Sequence, residues 1–166
     1  SGGKLDEMRK LGKVFWKKIG RIFQIILIGY ALHLPFYSLS KIINNANSQQ
    51  IESFYAVDVL QCIGFGLLFL FLTRLLIKSD KVYHYFLINS LVVVMLLSPF
   101  LWKIEFTNYM HLTIANYFNR LHGSLFPIFP WLNFLLAGAV FAKYFVDARE
   151  KNEEEKFIKL SAFAGL

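Results

Sequence analysis

Asp58 and Gln61 stand three positions apart at the head of a long apolar stretch, with Cys62 beside them. On a helix that spacing puts the carboxylate and the amide on one face. Two kinds of work are open to such an acid. Asp58 accepts hydrogen bonds from the free amides of a helix start, or it faces a polar substrate at the membrane boundary. His33 lies in the run Tyr30-Ala31-Leu32-His33-Leu34-Pro35, where an ionisable ring must face a partner or a cavity rather than lipid. His122-Gly123-Ser124 precedes Phe126-Pro127-Ile128-Phe129-Pro130-Trp131, a rigid aromatic entrance to another apolar stretch that carries Asn133. Imidazole and hydroxyl groups in that setting can orient a substrate or take a proton, and both side chains also serve as ordinary loop residues. His84 and His111 have no histidine at metal-ligand spacing, so a zinc site is not expected, and the single Cys62 excludes an internal disulfide.

The elements that must position these groups are membrane helices. The chain has 166 residues, of which 56% are hydrophobic and 17% aromatic, including 18 Phe, with a mean hydropathy of +0.46. Several stretches approach the roughly 20 apolar residues that cross a bilayer, separated by short polar breaks. The pattern predicts an all-α, multi-pass transmembrane bundle with four spans, over residues 19–43, 57–77, 82–101 and 130–146, and a fifth beginning near 157. Pro35 should bend the far end of the first span. Gly64 and Gly66 permit close helix packing in the second, and Ser98-Pro99 with Trp102 marks the end of the third. Residues 103–127 are too apolar to be fully solvated and too polar to span, so they should pack over the helices. An amphipathic, basic opening helix suits the membrane interface. The start at Ser1 and the apolar run at the other end predict a single membrane domain, 1–166, that is a piece of a longer chain.

All lysines and arginines except Lys41, Lys103 and Arg120 fall on one side of this arrangement. The bias predicts cytoplasmic ends and extracytoplasmic loops at 44–55 and 103–127. It also accounts for the net charge of +7 without a nucleic-acid partner. Lys17, Lys18, Arg21, Arg74 and Lys78 form a candidate cationic rim for a phosphorylated cytoplasmic ligand, although positive-inside topology alone predicts those charges. Glu153-Glu154-Glu155 among lysines reads as a solvated helical linker.

Two segments in order, Val57-Asp58-Val59-Leu60-Gln61-Cys62-Ile63-Gly64-Phe65-Gly66 and Ser124 through Gly138 with its Phe-Pro-Ile-Phe-Pro-Trp core, resemble the bacterial heparan-alpha-glucosaminide N-acetyltransferase-like membrane acyltransferases. The stretch from Leu27 to Pro35 is similar to the family's middle region, and the resemblance covers most of Arg21 to Phe145. It implies an enzyme of the bacterial cytoplasmic membrane that takes an acyl group from cytoplasmic acyl-CoA, with no permanently bound cofactor. The acyl group passes to a saccharide or glycoconjugate at the outer face. The family's first spans, which carry the histidine assigned to acyl transfer, would precede Ser1, so the catalytic residue is unknown here and this piece alone is expected to be inactive. Asp58, Gln61, His122, Ser124, Trp131, Asn133 and His33 are then candidates for the acceptor pocket, and the cationic rim for the acyl-CoA phosphates. A non-catalytic multi-pass protein, such as part of a transporter with a polar path through Asp58, His33 and His122, stays open as the alternative.

Overall fold

The structure, a computed structural model, describes residues 2–34 and 48–165, all helix and connecting turns with no strand among them. Its helices are α1 (Gly2–Leu32), α2 (Ser48–Tyr55), α3 (Val59–Leu76), α4 (Asp80–Leu101), α5 (Leu112–Ala115), α6 (Ile128–Glu150) and α7 (Glu154–Gly165), with a 3₁₀ turn at Phe106–Asn108. Three stretches are long and apolar enough to cross a membrane: Ser53–Leu76, Asp80–Leu101 and Ile128–Glu150. The protein is an integral membrane protein by this measure, and the predicted second, third and fourth spans coincide with these helices.

The first expected span, 19–43, falls only in part on the described residues. No break separates an interfacial helix from a span at residue 19, because α1 runs unbroken from Gly2 to Leu32, about 46 Å of helix. The helix ends in a turn at His33, ahead of Pro35, in keeping with the bias of a residue before proline against helical angles. Residues 35–43 of that span, the bend at Pro35, Lys41 and the polar break from 44 to 47 lie outside the described residues. Lys17, Lys18 and Arg21 interrupt the apolar run of α1, which is why it does not rank with the other three as a span.

Two helix starts, those of α3 and α6, have a legible cause. Asp58, with extended backbone, caps α3: its Oδ1 accepts the Val59 N–H at 2.7 Å, and Gln61 Oε1 accepts the Asp58 N–H at 3.2 Å. This reciprocal capping box satisfies amides that would otherwise be orphaned at membrane depth. At the other end of α3, Arg74 suits the helix dipole, donates to the Ile77 carbonyl at 3.3 Å, and pairs with Asp80 in the first turn of α4. In α6, Phe129 is non-helical (φ −97, ψ 118), so the regular helix begins at Pro130. There the missing proline N–H costs nothing.

α3, α4 and α6 form the bundle, and α1 runs antiparallel along α3. The buried core joins Leu87 and Val94 of α4 to Ile128, Leu132 and Leu136 of α6. Close approach depends on glycine twice. A Cβ on Gly64 would lie 2.4 Å from Ile26 Cγ1 of α1, and one on Gly66 would lie 3.1 Å from Leu132 Cδ1 of α6. Outward faces stay apolar: Met95 is 65% exposed and Phe134 72%, as lipid contact requires. α7 returns over the end of α6, where Phe157 packs against Phe141 and Phe145.

Candidate functional site

One end of the bundle is closed by residues 103–127, which fold over the helices as a cap. The reason is visible in the backbone accounting. The Leu125 and Phe126 N–H groups both donate to the Val57 carbonyl at 3.1 Å, and Ile128 N–H donates to the Tyr117 carbonyl at 2.7 Å. Asn116 Nδ2 donates to the Tyr55 carbonyl at 2.9 Å, Asn119 Nδ2 to that of Ile104 at 2.6 Å, and Trp102 Nε1 to that of Phe129 at 2.6 Å. Both asparagines are buried, so these bonds replace lost water. Gly123, at φ 87, supplies the left-handed turn that leads the cap back to α6.

Under this cap three of the candidate residues converge. His33 Nδ1 lies 3.1 Å from the Gly29 carbonyl, and its Nε2 lies 3.9 Å from Asp58 Oδ2. A carbonyl only accepts, so Nδ1 carries the proton and the Nε2 of a neutral ring is the free base. Both side chains keep part of their surface, 25% for His33 and 35% for Asp58. Gln61 is wholly buried against Gly29, and its Nε2 has no hydrogen-bond partner among the described residues. Asp58 thus caps α3 through Oδ1 while Oδ2 faces the imidazole, so the two roles left open for it are compatible.

The other candidates are placed differently. Ser124, also buried, accepts the Val57 N–H at 3.0 Å through its hydroxyl and so joins the cap to the start of α3. His122 makes its polar contact with Glu105 rather than with Asp58, at 2.8 Å. Glu105 also accepts from Thr107 Oγ1 at 2.6 Å, and these two bonds, Thr107 first, hold its carboxyl below the usual range. Trp131 stacks on Phe134, meets the Phe126 ring at a tilt and, with Cys62 and Ile63, lines an apolar cleft of about 450 Å³ between α3 and α6. Its Nε1 and the Oδ1 of Asn133 are buried without a partner among the described residues.

Some contributors were not singled out from sequence. Glu105 is the lone acid between residues 103 and 127, which is a readable signal for the partner of a loop histidine. Tyr30 and Tyr117, whose hydroxyls lie 2.9 Å apart, join α1 to the cap across a separation no motif reveals. Burial, then the bond to Tyr30, pushes the Tyr117 phenol up, so it stays protonated.

At the opposite end the five rim residues are not equivalent. Arg74 is committed to Asp80 and Ile77, and its guanidinium lies 5.1 Å from the centre of the Tyr83 ring. Lys18 sits 5.9 Å from the centre of the Phe71 ring. Lys17, Arg21 and Lys78 are exposed. Among the described residues no cluster of His, Cys, Asp and Glu has the makings of a metal site.

No curated protein and no solved structure matches the chain. A match does come from a family model described as heparan-alpha-glucosaminide N-acetyltransferase, catalytic, and it extends over residues 5–166. With all but the first few residues covered, on a helical membrane bundle, the chain belongs to this family of membrane acyltransferases.

Proposed function

We propose that the capped end of the bundle is the extracytoplasmic acceptor side of an acyltransferase that draws its acyl group from cytoplasmic acyl-CoA and passes it to a saccharide. The observation that carries this reading is the His33–Asp58 pair. With Nδ1 held by the Gly29 carbonyl, Nε2 is a base facing a carboxylate at 3.9 Å. That gap is too wide for a direct hydrogen bond and leaves room for an acceptor hydroxyl that donates to Nε2, or for an amine that donates to both atoms. Nε2 takes the proton that the acceptor sheds as it attacks the acyl thioester carbonyl. The carbon–sulfur bond breaks, the departing thiolate recovers a proton, and Asp58 stabilises the imidazolium in between. Gln61, whose Oε1 accepts the Asp58 N–H and whose buried Nε2 is unpaired among the described residues, adds an orienting contact. The excess of lysine and arginine at the other end supports the assignment of that end to the cytoplasm.

The test uses the full-length protein in membranes, with label moved from acyl-CoA to a saccharide acceptor. Asp58→Ala lowers transfer by roughly tenfold or more, within the range that positioned acid–base groups contribute, while insertion and folding are kept. Asp58→Asn retains the cap acceptor and loses the charge, and it falls to a similar rate. Unchanged transfer by the Asn variant removes the carboxylate from the site.

A further inference from the structure

The apolar cleft between α3 and α6 holds none of the groups that face each other at His33 and Asp58, yet it opens beside them. Both helices start at the capped end, and the walls come from their first two turns: Val59, Cys62 and Ile63 on α3, Trp131, Phe134 and Leu135 on α6. Deeper in, the gap closes. A Cβ on Gly66 would lie 3.1 Å from Leu132 Cδ1 and 3.2 Å from Leu135 Cδ1, so the two helices are in contact at that level. Phe126 of the cap forms the remaining wall, and its N–H donates to the Val57 carbonyl, which ties that ring to the residue before Asp58.

What the cleft presents is hydrocarbon and ring faces. Its side chains carry two polar atoms, the Cys62 sulfur and Trp131 Nε1, and both belong to buried groups. A sugar would find no partner there, while about 450 Å³ of apolar space is within the range of a ligand pocket. Val59 and Phe134 are exposed, and both walls lie within the spans Ser53–Leu76 and Ile128–Glu150, so the mouth faces the acyl chains of the bilayer rather than water. Rings brace it. Trp131 stacks on Phe134 with centres 5.6 Å apart and meets the Phe126 ring at 4.8 Å, a preformed wall that costs a bound chain little ordering.

Packing alone does not select the occupant, because bilayer tails are as apolar as these walls. Position does. Val59 follows Asp58 directly, so a molecule whose tail lies in the cleft keeps its first polar groups at the level of the His33–Asp58 pair. Joining tail and sugar makes the second contact intramolecular, a gain that neither a free saccharide nor an ordinary phospholipid has. We propose that the cleft seats the hydrocarbon tail of a lipid-linked acceptor, a saccharide carried on a lipid, whose sugar is held at His33 and Asp58. Trp131 then serves the tail and not the sugar. This assignment rests on the acyltransferase reading and narrows its acceptor to the glycolipid class.

The test uses the full-length protein in phosphatidylcholine vesicles. A decyl glucoside carrying a diazirine on its chain crosslinks to the segments of α3 and α6 that line the cleft, whereas a phosphatidylcholine with the same diazirine labels them no more than the lipid-facing side of α4 at Met95. Ile63→Trp fills the cleft and lowers labelling by the glucoside roughly tenfold; Val59→Trp, at the exposed mouth, does the same where the deeper substitution impairs folding. In the transfer assay, the decyl glycoside of the accepting sugar has a kcat/KM roughly tenfold or more above that of the methyl glycoside, and both tryptophan variants bring the ratio toward one. The tail comes from lipid rather than water, so the gain stays well below the roughly fourfold per methylene of transfer from water. Equal labelling of the cleft by the phosphatidylcholine probe overturns the proposal in favour of ordinary lipid. A ratio that survives both tryptophan variants also overturns it, since partition into the bilayer then accounts for the preference. If labelling follows the expected pattern and no sugar accepts the acyl group, the acyltransferase reading fails and the tail site stands; transfer with a ratio near one in wild type fails the tail site alone.

Discussion

Gly29→Ala tests how α1 is fitted to the head of α3. A Cβ on Gly29 would lie 2.7 Å from Gln61 Cδ, 2.8 Å from its Oε1 and 3.1 Å from its Nε2. Gln61 is wholly buried, so its amide has no solvent to swing into. The methyl group therefore displaces Oε1 from the Asp58 N–H, and half of the capping box is lost. Losing a cap contact costs about 0.5–2 kcal/mol, and overpacking costs about 1–3 kcal/mol. Replacing glycine in a helix returns up to about 1 kcal/mol. The net destabilisation is about 1–3 kcal/mol, dominated by the steric part. Gln61→Ala loses the same cap contact but empties the space, so in that background Gly29→Ala is neutral or mildly stabilising. The coupling energy between the two substitutions is then about 2 kcal/mol, well beyond the few tenths expected of independent sites. The assay is reversible unfolding of the full-length protein in mixed micelles, with wild type, both single variants and the double variant measured together. Additive effects would refute the packing of Gly29 on Gln61.

Gly64→Ala places a methyl group 2.4 Å from Ile26 Cγ1 and destabilises the α1–α3 seam by about 1–3 kcal/mol; adding Ile26→Ala restores part of the loss in the same unfolding assay. Ser124→Ala leaves the buried Val57 N–H without its acceptor and costs about 1–3 kcal/mol, whereas Ser124→Thr keeps the oxygen and recovers most of it. Glu105 titrates below its unfolded value, so its contribution is complete above the ordinary glutamate range and disappears as pH falls through the lowered folded value. Thermal stability followed from neutral pH downward declines less steeply for Glu105→Gln than for wild type in that acid window, and parallel declines would count against the Glu105–Thr107–His122 arrangement.

Helix identity was legible because lipid leaves the chain few choices. Apolar length marked α3, α4 and α6, and Pro130 marked where the last of them begins. The capping role of Asp58 was readable too, since an acid three residues ahead of Gln61 at a helix head is a capping signature. The cap was legible only as a class. Its polarity said that residues 103–127 pack over the helices, but the bonds that fasten it, from Asn116 to Tyr55 and from Ser124 to Val57, join positions more than sixty apart and leave no local pattern. His122 illustrates the limit. Its position beside Ser124 pointed to one pocket, yet Glu105 takes its ring while Ser124 turns to backbone. The continuity of α1 escaped for a different reason: the contacts that hold it along α3, Ile26 with Gly64 and Gly29 with Gln61, join distant positions and leave no local pattern.

Most polar groups at the capped end are consumed by structure. Ser124, Asn116 and Asn119 bind backbone, Tyr30 and Tyr117 bind each other, and one oxygen of Asp58 caps α3. What is left over is the Nε2 of His33 and the second oxygen of Asp58, both partly exposed, and, buried without a partner among the described residues, the Nε2 of Gln61, the Nε1 of Trp131 and the Oδ1 atoms of Asn116 and Asn133. Each unpaired buried group costs about 1–3 kcal/mol. A hydroxyl-rich acceptor offers the partners they lack, and a purely structural cap does not. An acceptor that satisfies these atoms stabilises the folded bundle in proportion to its binding, and it does so through the atoms the fold has not already used.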